Sequence, residues 1–203
     1  MVIAGESLKF KLSEIAEIHA GIYRKPDLYG DIIYLQVKHF DNKGNIISDK
    51  ISSKDLKLNK RLKKHLLQND DIIFAAKGDK NFAFLYHHKL GPAVASSSFL
   101  VIRIMDSQKK RIKPEYLHWF LNHPFTQALI KMQAKGSALP VISKAVMENF
   151  EIPIPSLKIQ MQIKKINELW KSEKSLMQKI ISQKEKMYQM ILYKQANGEQ
   201  ING

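Results

Sequence analysis

Ile152-Pro153-Ile154-Pro155-Ser156-Leu157 opens the stretch that decides the fold, and the stretch runs on to Gln195. Proline locks φ and has no amide hydrogen to donate, so two alternate prolines hold this opening extended. From Ser156 to Gln195 there is no further Pro and no Gly, and good helix formers dominate. Ile159, Ile163, Ile166, Trp170, Met177, Ile180, Met187 and Ile191, with the polar Glu173 and Lys184 among them, fall at alternating spacings of four and three. That is a heptad seam. The reading predicts a single helix over 156–196, about 40 residues and roughly 60 Å long. Such a rod cannot bury its seam against itself. It is expected to pair with another helix as a coiled coil that spaces and dimerises the chain.

Outward from the helix, the 203 residues leave room for one globular domain over 1–155 and a polar tail, 197–203, expected to be disordered. Apolar residues make up 44% of the chain, enough for a core and against wholesale disorder. The absence of cysteine excludes disulfides, thiolate zinc sites and cysteine nucleophiles, and fits a cytoplasmic protein. No long uncharged apolar run and no signal-peptide pattern in Met1–Phe10 is present, so no membrane partner is expected. The net charge is +14. Residues 156–203 hold nine Lys and four Glu, a net of +5, which leaves +9 for residues 1–155. The excess is therefore spread over the domain as well as the rod, and nucleic acid is the first partner it suggests.

The domain reads as mixed α and β without strict alternation, an α+β fold. Apolar residues at 12, 15, 16 and 18 predict a short helix over 12–19, ended by Gly21. Ile32–Val37, Asp71–Ala76 and Phe82–Tyr86 read as strands. Pro92–Ile104 is a longer β-type stretch broken at Ser96-Ser97-Ser98. Lys54–Leu67 is helix or loop. Pro114 opens a helix that Pro124 kinks and Gly136 stops, and Ser143–Asn149 is a short helix.

Catalytic patterns are weak. His87-His88 would point to opposite faces of a strand and cannot share an ion, and no His has a partner at metal-site spacing. Asp31 with Lys38, or Asp70-Asp71 with Lys77, only faintly imitates a magnesium nuclease centre. Asn122-His123-Pro124-Phe125 faintly resembles the Asn-Pro-Pro-Phe of adenine aminomethyltransferases, but a helix kink explains it better. No cofactor, no metal and no catalytic residue is expected. Binding features are better represented. Lys57, Lys60, Arg61, Lys63 and Lys64 form a basic run that is as readily a solvated face. Loops combining basic, aromatic and small polar groups suit base edges and phosphates: Tyr23-Arg24-Lys25, Lys38-His39 and Lys77-Gly78-Asp79-Lys80. A fourth runs from Gly136-Ser137 to Ser143-Lys144, near a helix start suited to phosphate.

These pieces, in order, resemble one half of the DNA-specificity subunit of type I restriction–modification systems. Leu12-Ser-Glu-Ile-Ala-Glu-Ile…Gly21 is similar to that family's opening block, and Gly30-Asp-Ile-Ile-Tyr-Leu to its first strand. Asn69-Asp-Asp-Ile-Ile-Phe-Ala-Ala-Lys-Gly78 resembles its "x-G-D-I-L" block, with Asp70 where Gly is usual. Ala95-Ser-Ser-Ser-Phe, Pro114-Glu-Tyr-Leu and Gly136-Ser…Ile142-Ser continue the series. Phe150-Glu-Ile-Pro-Ile-Pro-Ser-Leu…Gln160…Ile163 resembles the signature that launches the family's conserved helix. The resemblance implies a target recognition domain that reads half of a split double-stranded DNA site and catalyses nothing. It implies a long helix in an antiparallel coiled coil, and partnership with methyltransferase subunits and in some systems a restriction subunit. With one domain and one helix, this chain is expected to act as a homodimer on an inverted, interrupted repeat. The alternative is a stand-alone DNA-binding regulator or antirestriction protein built on the same fold.

Overall fold

The computed structural model describes residues 8–26, 30–47, 51, 55–78, 81–133 and 141–198. The chain divides into two compact units, Met1–Gln160 and Met161–Gly203. In order, the elements are β1 (Leu8–Lys11), α1 (Leu12–Ile15), β2 (Ala16–Ala20), β3 (Ile33–Leu35), α2 (Lys60–Lys63), β4 (Ile72–Ala75), β5 (Ala83–Leu85), β6 (Ala93–Ala95) and β7 (Phe99–Ile104). Then come α3 (Pro114–Asn122), α4 (Pro124–Gln133), α5 (Lys144–Asn149), β8 (Glu151–Ile154) and α6 (Leu157–Ala196).

The first unit is built on a four-stranded antiparallel sheet in the order β2-β7-β4-β5. Ile72-Ile73-Phe74-Ala75 forms the inner strand β4 and is buried at every position. An unbroken apolar run of this kind serves a strand covered on both faces. Two strand pairs flank the sheet: β3 with β6 in parallel, and β1 with β8 antiparallel. Phe40, Phe82 and Phe99 interlock in the core, with ring centroids 5.2–6.0 Å apart. The main sheet is antiparallel and the helices do not alternate with strands in βαβ units, which makes the unit α+β.

The strands expected at 71–76 and 82–86 form, as does the β-type stretch broken at Ser96–Ser98. Within 32–37 only Ile33–Leu35 is strand, and Val37–His39 turns into a single 3₁₀ turn. Of 54–67, Lys54 lies outside the described residues; from 55 to 67 the helix is confined to Lys60–Lys63, capped by the Asn59 side chain on the Leu62 N–H. The helix expected over 12–19 stops at Ile15. Ala16–Ala20 is instead a strand paired with β7, Ile18 opposite Ile102. Ala16 and Ile18 are buried and Glu17 and His19 exposed, a period of two that a window containing α1 disguises. Gly21 accordingly ends no helix. An added Cβ there would lie 2.0 Å from the Ser96 carbonyl oxygen, because the backbone crosses directly over Ala95–Ser96.

The proline-stiffened opening is β8, with Pro153 opposite Lys9 in a two-stranded pair where a missing N–H is tolerated. The kink at Pro124 is a full break: α3 ends at Asn122, His123 is extended, and α4 restarts at Pro124. In the second unit α6 continues without interruption to Ala196. Of the seam, Ile159, Ile166, Trp170, Met177, Ile180 and Met187 are exposed, and Ile163 and Ile191 are partly exposed. No helix among the described residues is long and apolar enough to cross a membrane. The tail after Gly198 lies outside the described residues.

Candidate nucleic-acid interface

A buried phenol sets the first candidate loop. Tyr34, on β3, donates its hydroxyl to the Ile22 carbonyl at 2.8 Å and accepts the Arg24 N–H at 3.1 Å. Ile22 also bridges to Ser96, its N–H on the Ala95 carbonyl at 2.9 Å. Tyr23 is thereby pinned on both sides by backbone while its own ring stands 84% exposed. Arg24 and Lys25 follow it at the surface. An ordered loop presenting an exposed aromatic beside two cations can stack and neutralise charge at little cost in ordering entropy.

Next to this loop lies a cleft of about 510 Å³. His19 and Gly21–Ile22 form one wall; Lys64, His65 and Leu66, just beyond α2, form another. Arg103 of β7 and Lys144 at the start of α5 complete it. The His65 imidazolium is disfavoured first by burial and then by the charges of Lys64, Arg24 and His19, which holds its pKa below the ordinary value. Burial is the larger cause, and the smaller contributions from Lys64, Arg24 and His19 show that groups of three separate segments lie close to this ring.

Not every cation in the cleft is available. Asp71 is buried, and its carboxylate takes Nε and Nη2 of Arg103 at 2.8 and 2.7 Å and the Gln68 N–H at 2.7 Å. This bidentate pair raises the Arg103 pKa, chiefly through the hydrogen bond. Arg103 is thus a structural floor, while Lys64 and Lys144 are exposed and can reach an anion. Lys144 also contacts Glu148 at 3.4 Å, an exposed pair of the kind phosphate competes with readily.

The structure places Lys144 in the wall of the cleft and Arg24 outside the lining but within electrostatic reach of His65, and leaves other candidates apart. Lys77 is exposed and sits in a backbone bridge with Val141, three residues before Lys144, and the Ile142 N–H bonds the Ala76 carbonyl at 2.8 Å. Lys38 is exposed on the Val37–His39 turn and does not line the cleft. His39 is buried, its Nδ1 accepting the Gln36 N–H at 3.3 Å, so it has no edge to offer a base. Lys80 and Ser137, with Asp79 and the rest of Gly136–Pro140, lie outside the described residues. Ser143 caps α5 through the Val146 N–H, and that helix is only six residues long. His19, Lys64 and His65 are not recognisable as one site in the sequence, because they meet only through β2 and the segment after α2. Asn122 clamps the β5 edge, accepting the Ala83 N–H at 2.9 Å and donating to its carbonyl at 2.8 Å. Among the described residues no group of three His, Asp or Glu is placed to hold a metal.

Fold and cleft together define the class: an α+β domain with a basic cleft, continued by a 40-residue helix. The type I restriction modification DNA specificity domain family matches residues 6–185, and the chain belongs to that family. It is 29% identical over 120 residues to the type I restriction enzyme MjaVIII specificity subunit of Methanocaldococcus jannaschii, covering 59% of this chain and 26% of that protein. Its fold is shared by the S subunit of a type I system from M. genitalium, at 15% identity and TM-score 0.58 over 96% of this chain and 47% of that one. The HsdS subunit from Thermoanaerobacter tengcongensis matches at 19% identity and TM-score 0.67, over 92% of this chain and 47% of the other. A chain from a type I R-M system solved for its complex assembly and conformational transition matches at 15% identity and TM-score 0.68, over 96% and 46%. The chain spans about half the length of these solved relatives.

Proposed function

We propose that this chain is a non-catalytic specificity subunit that reads double-stranded DNA through the cleft and the Tyr23–Lys25 loop. The observation that carries this reading is a cleft lined by Lys64 and Lys144, with Arg24 close enough to act on His65 in its wall, in a chain whose family is defined by DNA specificity. Cations from separate segments, fixed by a buried frame, suit a curved polyanion better than a small ligand. The exposed seam of α6 supports pairing with a second copy. Such a dimer reads an inverted, interrupted repeat, one half-site per domain. It presents that DNA to methyltransferase subunits, and in a restriction-competent complex to a restriction subunit. It needs no cofactor of its own.

Fluorescence anisotropy on duplex DNA at graded salt tests the site. Affinity should fall steeply as salt rises, because each neutralised phosphate releases counterions. Replacing Lys64 and Lys144 together with Ala should weaken binding by about tenfold or more. It should also flatten the salt slope by about one for each phosphate that is no longer neutralised. An affinity indifferent to both salt and these substitutions would contradict the assignment.

A further inference from the structure

We infer that two copies of α6 pair antiparallel in one particular register, the one that sets Glu173 of each against the partner's Lys184. The inference rests on the self-association proposed above, takes the antiparallel orientation that the family resemblance implies, and adds the register. Both charges stand in the apolar seam, and neither has a charged neighbour one turn away on its own helix. Glu173 is flanked at three and four residues by Leu169, Trp170, Leu176 and Met177, and Lys184 by Ile180, Ile181, Met187 and Tyr188. Among the described residues neither makes an ion pair within the chain, and all eight neighbours are exposed. A cation and an anion are each placed alone in an apolar stripe. Covering that stripe with anything apolar would bury two unpaired charges, which is costly. The occupant must therefore return a cation at Glu173 and an anion at Lys184, and this helix carries both.

Among heptad-aligned antiparallel registers one does so for both charges. With the two-fold axis between Gln178 and Lys179, Met177 meets the partner's Ile180, Glu173 meets the partner's Lys184, Trp170 meets the partner's Met187 and Ile166 meets the partner's Ile191. From Ile166 to Ile191 apolar faces apolar and each charge meets its opposite twice by symmetry, while Ile163 falls opposite the partner's Lys194 at the end of the overlap. A shift of one heptad either way sets Glu173 against Met177 or Ile191, and Lys184 against Ile166 or Ile180. A parallel, in-register pair sets Glu173 against Glu173 and Lys184 against Lys184. The two polar positions thus disfavour these alternatives as well as favouring the one arrangement.

Sedimentation equilibrium on the full chain tests this. Glu173→Lys and Lys184→Glu should each raise the dimer dissociation constant by about tenfold or more, since each places like charges face to face in the seam. The double swap, and an equimolar mixture of the two single variants, should restore it. The cysteine-free background allows a second readout: Ile166→Cys and Ile191→Cys chains, oxidised together, should give the mixed disulfide and neither like-with-like product. Neutral single swaps, a double swap as weak as the singles, or an Ile166→Cys like-with-like disulfide would overturn the register while leaving self-association standing. A wild-type chain that stays monomeric at tens of micromolar would instead remove the self-association on which it rests.

Discussion

Gln160 shows how a single side chain joins a motif to a fold. It is 1% exposed, accepts the Lys113 N–H at 2.9 Å, and donates to the carbonyls of Arg111 and Pro155 at 2.8 Å each. The Gln of the launching signature therefore ties the first turn of α6 to the loop before α3. Gln160→Ala should cost about 2 kcal/mol by urea unfolding, because three backbone groups lose their partner together. Asp70 explains its own departure from the family pattern: its φ is +71°, the left-handed region where Gly is at ease and Asp is tolerated. Tyr116 is buried, donates to the Pro153 carbonyl, and has its pKa pushed up to about 12 by burial. The unfolded chain ionises this phenol near 10, so its contribution is intact below pH 10 and lost as pH climbs from there through 12. A loss of about 2–3 kcal/mol over that window is expected in pH-dependent unfolding, and Tyr116→Phe should flatten it.

At the scale of elements, legibility in the sequence follows the range of the interactions. The helix α6 is legible because its signal is local: no Pro or Gly from Ser156 to Asn197, and a seam repeated over many turns. The strand β2 is not, because its apolar positions fit a helix as well and its partner, β7, lies far along the chain. The cleft is half legible. Arg24 and Lys144 can be named as cations in polar loops, but nothing local places them beside Lys64 and His65. That closure depends on Tyr34, on the Gly21 crossing and on the Lys77–Val141 bridge. His39 shows the reverse error, a polar residue in a turn that the fold draws inward. The seam also proves broader than a two-in-seven stripe, since Leu169, Leu176, Ile181 and Tyr188 are exposed alongside it. Replacing Ile166 and Ile180 together with Lys should abolish self-association by light scattering while leaving the circular dichroism of the first unit unchanged. An unaltered mass would show that the seam is not the contact.

For the whole molecule, charge and architecture combine into one function. The cleft offers cations beside a loop with an exposed ring, and the long helix offers an exposed apolar face that carries Glu173 and Lys184. The proposed two-fold pair would place two equivalent readers on one duplex, and the site it reads would then carry the same symmetry. The most direct measurement is selection of bound sites by the full chain from a random duplex library at moderate salt. It should enrich an inverted repeat whose halves are separated by a fixed, unread spacer. Enrichment of a single uninterrupted half-site, or of no sequence at all, would contradict the account.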